Sequence, residues 1–170
     1  MRVAKIEREV KYLFGGGEIK VIDDKKGIIG GYLNYIGNID YGEDRSMPGA
    51  FRKTLQDSYS RKAAQDLDFL WPYLFNHNYD TLLPPGGIYD ADEDRKGLYT
   101  KTQFNLDVQL GRELYASFKM GTMKKQSMGY RAIQVDWVKE EGRSIRNLLE
   151  VAVMEGSAVV FPMNDLEDDG

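Results

Sequence analysis

A chain of 170 residues, 42% hydrophobic and carrying eleven tyrosines, can bury a real core and is excluded from the intrinsically disordered class. It has no cysteine and one histidine, which excludes disulfide staples, thiolate zinc sites and cysteine nucleophiles and fits a reducing cytoplasm. The net charge of −4 argues against a general nucleic-acid binder, and no apolar run reaches the ~20 residues of a membrane-spanning helix.

Met1 to Glu7 mixes charged and apolar residues without the apolar core of a secretory signal, so no export is expected. Neither a repeat nor a linker interrupts the pattern. The expectation is a single domain over residues 1–164, followed by an acidic tail, 165–170, too polar to pack.

In chain order, residues 3–14 and 18–22 read as two strands joined through Gly15, Gly16 and Gly17. The glycines are not a phosphate cradle, because no Gly-Lys-Ser/Thr follows. A strand is predicted from Gly27 to Ile36, its paired glycines marking a bulge or a close crossing. Residues 38–51 are a loop opening a helix, with Ser46 as N-cap and Pro48 in the first turn. Phe51, Leu55 and Tyr59 recur at helical spacing, carrying the helix to about Ala64. Asp40 and Asp44 read as loop and capping residues, with an acid or ligand role as the alternative.

Asp68 to Phe75 is an apolar run whose Pro72 predicts an edge or bulged strand. It delivers Asn76, His77 and Asn78 to the strand's end. Residues 87–92 and 97–105 read as a hairpin. The spacing of Asp90, Asp92 and Asp94 starts like a calcium loop, but Arg95 and Lys101 stand where its glycine and glutamate belong. Asp107 is placed as the cap of a second helix with Leu110, Leu114 and Phe118 on its buried stripe and Gly121 at its end. Ser127 then falls in a loop leading into an alternating strand with Ile133, Val135 and Trp137 inward. A turn at residues 140–143 leads to a strand at 145–153, and a last apolar piece runs from Ala158 to Phe161. Many short strands and two helices predict a mostly β, α+β fold, a small antiparallel barrel or sheet with the helices packed outside.

The chemistry that these residues allow is nucleophilic. A serine hydroxyl needs a base within hydrogen-bond reach, and a neutral imidazole is the usual one. His77 is the one histidine available, Ser127 is a candidate nucleophile, and a carboxylate would orient the imidazole. Ser127 lacks a hydrolase elbow, since Lys125 stands where that motif has glycine. Each residue alone also has a structural reading: a turn serine, a packed histidine. Glu155 is the odd one, a charge in an otherwise apolar segment that calls for pairing.

Five segments, in order, resemble the prohead maturation proteases of tailed bacteriophages, a serine peptidase family related in fold to herpesvirus assemblin. They are Asp44-Arg45-Ser46-Met47-Pro48-Gly49-Ala50-Phe51; Leu74-Phe75-Asn76-His77-Asn78; Asp94-Arg95-Lys96-Gly97-Leu98; Ser127-Met128-Gly129-Tyr130-Arg131; and Glu155 to Asn164. Together they span about residues 28–164. The resemblance implies a herpesvirus-protease-like fold, with Ser127 as nucleophile, His77 as general base and Glu155 as third member. The herpesvirus relatives use a histidine there, and this chain has no second one. Met128, Gly129 and Arg131 are the expected oxyanion or substrate-binding positions; for Arg131 a purely structural reading stands beside it. The chain departs from the family pattern at Asn78, Gly156 and Met163.

The resemblance further implies a protease that cleaves scaffold and major capsid protein segments, and itself, inside the assembling procapsid in the host cytoplasm. Such enzymes are usually made as inactive precursors. It implies self-association into a dimer or higher oligomer, and neither cofactor, metal, membrane nor direct nucleic-acid partner. An end shortly after Pro162-Met163-Asn164 fits a self-processed tail, a trimmed chain or a naturally short protein alike. Two other readings stand beside it: a non-catalytic capsid-assembly or scaffolding module with the same fold, and a small all-β binding domain with no viral role.

Overall fold

The computed structural model describes residues 10–14, 17–40 and 42–160. In chain order they form β1 (Lys11–Phe14), β2 (Gly17–Asp23), β3 (Ile28–Tyr35), β4 (Asp44–Ser46), α1 (Arg52–Ala64), β5 (Trp71–Phe75), β6 (Gly86–Glu93), β7 (Gly97–Phe104), α2 (Gln109–Met120), β8 (Lys125–Glu140) and β9 (Arg143–Val159). The strands make one sheet in the order β1-β8-β9-β5-β6-β7-β3-β2, with β4 beside β9. All pairings are antiparallel except β4 with β9 and β5 with β9. The expected mostly β, α+β class with two helices is the observed one.

The sheet curls into a half-barrel. Gln126 of β8 marks the fold-over: its Nε2 donates to the Tyr32 carbonyl of β3, and its Oε1 accepts from the Tyr73 hydroxyl of β5. Around this bridge Leu33, Tyr73, Ile88, Leu98, Phe104, Met128 and Leu148 pack with Phe51 and α2's Leu114 and Phe118 into one core. Burying side chains of this size supplies about 1.5–3 kcal/mol each, which holds the curl closed.

Several local expectations give way to tertiary contacts. The strand before Gly15 does not form a hairpin with its successor; β1 pairs with β8, and β2 pairs with β3. Ser46 is a buried strand residue, not an N-cap. The N-terminal end of α1 is instead served from β6: Glu93 accepts the backbone N–H groups of Gly49 and Phe51. α1 also turns a polar face inward, where Thr54 accepts the Val153 N–H and Ser58 the Trp71 indole N–H. Asp107 does not cap α2, whose N-cap is Val108 without a side-chain bond. Gly121 does end that helix, in the left-handed region at φ 86°.

Pro72 lies in an interior strand, contrary to its edge assignment. It is tolerated because β5 registers with β9 only from Tyr73 onward, so the proline faces a single registered partner, Gly87. β8 and β9 form one long hairpin across Glu141 and Gly142, both at positive φ, as a tight turn of right-handed twist requires. β9 is continuous through Glu155 and Gly156 where a break at residues 153–158 is expected. Trp137 is 62% exposed, because β8 shifts register near Gln134 and, among the described residues, its far end pairs with β9 alone. The expectations for residues 3–9, Gly15, Gly16, the segment Phe161 to Asn164 and the tail 165–170 lie outside the described residues.

Candidate active site

Three neighbouring strands each bring one side chain to a common point. Ser127 is the third residue of β8, not a loop residue, and registers with Ser157 of β9. Gly129 registers with Glu155. Alternation along a strand therefore puts Ser127 and Gly129 on one face of β8, with Glu155 and Ser157 beside them on the same face of β9. β5 runs parallel to β9 and pairs Phe75 with Ala158, so it ends level with them. Asn76 and His77 then take positive φ values, 48° and 55°, which turn the chain sharply and swing the imidazole back over β9. Left-handed backbone at two successive non-glycine residues costs free energy, of the kind that persists where surrounding contacts enforce it.

The resulting contacts form a chain of three. His77 Nε2 is 2.7 Å from Ser127 Oγ, and His77 Nδ1 sits against Glu155 Oε1. A carboxylate facing Nδ1 favours the proton on that nitrogen, leaving the Nε2 lone pair toward the serine hydroxyl. Glu155 is 1% exposed, so its charge is held by neighbours rather than by water. Its Oε2 accepts from Ser157 Oγ at 2.7 Å, and its Oε1 is 3.4 Å from the Tyr79 hydroxyl. Burial pushes the Tyr79 phenol well up, and the nearby Glu155 charge adds to it, so Tyr79 stays a neutral donor.

Ser157 does a second job. Its Oγ accepts the backbone N–H of His77 at 3.1 Å while donating to Glu155, so one buried hydroxyl fixes two members relative to each other. Gly129 is required for space: a Cβ there would collide with Glu155 Oε1 and sit 2.6 Å from the Tyr79 hydroxyl. The residue expected to serve an oxyanion thus also clears room for the carboxylate.

The remaining expected positions divide. Met128 is fully buried in the core, so only its backbone borders the site. Arg131 shares the face of β8 that carries Ser127 and Gly129, and its buried Nε has no hydrogen-bond partner among the described residues. Among the described residues no group of acidic and histidine side chains is arranged to hold a metal ion. A cavity of about 890 Å³ lies between residues 66–72 and 103–107 and includes none of Ser127, His77 or Glu155.

Sequence reasoning passed over Tyr12, Tyr79 and Ser157 as site residues. Ser157 stands two places after Glu155, the strand period for a shared face, and that spacing is a legible signal. Tyr79 and Tyr12 carry none, since both arrive by tertiary placement.

A family defined as caudovirus prohead serine proteases matches residues 17–167. The chain belongs to that family. The prohead protease of Enterobacteria phage HK97 is 33% identical over 155 residues, covering 89% of this chain. The chain spans 63% of that relative's length. The bacteriophage T4 capsid assembly protease is similar in fold, with a TM-score of 0.65 at 16% identity over 91% of this chain and 100% of the solved one. In this member of the prohead protease family, His77 lies within contact of both Ser127 and Glu155.

Proposed function

We propose that this chain is a serine endopeptidase of capsid maturation that works through an acyl-enzyme. The observation that carries the reading is the continuous path from the Glu155 carboxylate through both imidazole nitrogens to Ser127 Oγ. Ser127 Oγ attacks the peptide carbonyl carbon while its proton passes to His77 Nε2. Glu155 holds the imidazole in place and stabilises the imidazolium. The C–N bond then breaks as Nε2 returns the proton to the leaving amine. Water, deprotonated by the same nitrogen, hydrolyses the ester and restores the serine.

The negative oxygen formed on attack needs donors aimed at it. Of the adjacent Met128 and Gly129 backbone N–H groups, the one that points away from β9 fills that role, with the Arg131 guanidinium as a further positive group on the same face. Support for the latter is its unpartnered Nε.

Substrates are segments of scaffold and major capsid protein, and the chain itself, cut inside the procapsid in the host cell. The resemblance to the HK97 and T4 proteins supports this assignment. The active form self-associates and works without cofactor, metal, membrane or direct nucleic-acid contact, as one domain over residues 1–164.

The test is intact mass of wild type beside Ser127→Ala and His77→Ala, alone and with capsid and scaffold proteins. Fragments in the wild type only are expected. Identical masses in all three, with substrates present, would leave a non-catalytic assembly module as the reading.

A further inference from the structure

We propose that β1 is an intramolecular plug, a segment of the chain's own N-terminal region lying in the path that a substrate strand would take beside Ser127. The inference rests on the peptidase reading above. Its first support is register. β8 is 16 residues long, and β1 covers only the four positions next to the serine: Phe14 opposite Ser127, Leu13 opposite Met128, Tyr12 opposite Gly129 and Lys11 opposite Tyr130. Each of these four β8 residues also registers with β9 on its other side. Successive backbone groups of a strand point alternately to its two neighbours. One of the Met128 and Gly129 N–H groups therefore faces β1 rather than a developing oxyanion.

The second support is Tyr12. Its ring stacks on His77 with centroids 4.0 Å apart and lies 6.3 Å from the Tyr79 ring. Tyr12 is 49% exposed, so the ring is not placed there by core burial. What it covers is the imidazole face, beside which a scissile peptide must come to reach Oγ. Ser127 is left 4% exposed, inaccessible to a peptide while the strand is in place.

The third support is dispensability. The family match begins at residue 17, after β1, and β1 is one of the two end strands of the sheet. Once β1 is released, the bare edge of β8 presents unpaired N–H and C=O groups, which an extended peptide satisfies as an added strand. The plug and the substrate compete for one edge. An intramolecular competitor lowers the fraction of competent enzyme, so it weakens apparent affinity for substrate and leaves the turnover of the bound complex unchanged.

The test uses the full chain and a fluorophosphonate, which labels an activated serine irrespective of substrate sequence, with the rate read by intact mass. Tyr12→Ala should speed Ser127 labelling about three- to tenfold, the range expected for losing one ring-on-ring contact. Tyr12→Phe keeps the stack and should behave as wild type. Tyr12→Pro/Leu13→Pro must remove one N–H donated to β8, whichever of the two residues supplies it, and should speed labelling further. A synthetic peptide of residues 8–15 should slow both fast variants back toward the wild-type rate.

Equal labelling of Ser127 in wild type and in folded variants would overturn the plug and leave the peptidase standing. Slower labelling in the folded variants would also overturn it, by making β1 a support of the site. If the double proline variant does not fold, Tyr12→Ala with peptide competition decides. If no form labels at Ser127, the peptidase reading falls and takes the plug with it.

Discussion

Asp44 and Glu155 are both buried carboxylates gripped by basic side chains, and they lie on opposite faces of β8. Asp44 accepts from Arg146 Nε and Nη2, each at 2.7 Å, and from the Tyr130 hydroxyl at 2.6 Å. Asp44, Tyr130 and Arg146 are all buried strand residues. Burial drives the Tyr130 phenol up, with the Asp44 charge adding to it, so it donates and never ionises. The Glu155 network has the same ingredients, a carboxylate, a nitrogen base and a tyrosine hydroxyl. It differs in reaching a hydroxyl through an imidazole, that of Ser127 on the strand that β1 borders. A buried ion pair between strands fixes structure, while a carboxylate that reaches a serine hydroxyl through an imidazole has the layout of a proton path.

Breaking each network should therefore fail differently. The largest effect is expected from Glu155→Gln, which keeps the shape but removes the carboxylate charge beside His77 Nδ1. Turnover should fall about 10⁴-fold, as for the aspartate of other triads. Thermal melts should show a folded protein, and a loss of only a few-fold would remove Glu155 from the machinery.

Next comes Arg146→Met, which strands the Asp44 charge in the interior. A cost of about 3–5 kcal/mol in denaturant unfolding is expected, since an uncompensated buried charge is what remains. Enzyme that stays folded should keep its serine-labelling rate. If labelling collapses while the fold persists, the two networks are not separable as described.

Gly129→Ala should cost less, about 10²-fold in turnover, because its Cβ must push Glu155 and Tyr79 aside and misplacements of this size have that effect. Unfolding should be only mildly affected. Unchanged kinetics would mean that the carboxylate has room elsewhere.

The smallest effect concerns Asp40, whose Oδ1 accepts the Asp44 backbone N–H. Burial raises its carboxyl to about 6, from an ordinary 3.8, with the Asp44 charge adding to the rise. The native state thus holds the proton more tightly than the unfolded chain. Its favourable contribution is complete below about pH 4 and is lost as pH rises through about 6. Asp40→Asn removes that loss and should stabilise the protein at pH 8 by about 1–2 kcal/mol, after allowance for the group's partial exposure. Denaturant midpoints at pH 4 and 8 measure it, and a variant with the same pH slope as wild type would contradict the assignment.

The two networks were unequally legible. Ser127, His77 and Glu155 could be named because one histidine, one awkward glutamate and a serine stood in ordered motif context. The Asp44 network was not visible, since Asp44 in a polar loop reads as a turn residue until β4 lies down beside Arg146 of β9. Ser127 itself was placed in a loop, because its short run of residues lacks alternation until Ile133. Pairing with Ser157, not local propensity, makes it a strand residue. The same holds for α1, whose start is set by Glu93 from 42 and 44 residues away rather than by Ser46.

By itself the sequence determined the β-rich class, the two helices, the hairpin read at residues 87–105 and the turn at Gly142, and it singled out Ser127, His77 and Glu155. These follow from short-range chemistry: glycine at positive φ, apolar period, one base for one nucleophile. The tertiary structure alone decided which strand lies beside which. It brought β5 parallel to β9, so that His77 meets Ser127, placed Ser157 and Tyr79 on the carboxylate, and laid Tyr12 over the imidazole. Register across a sheet depends on contacts between residues tens of positions apart, and no local pattern encodes that choice.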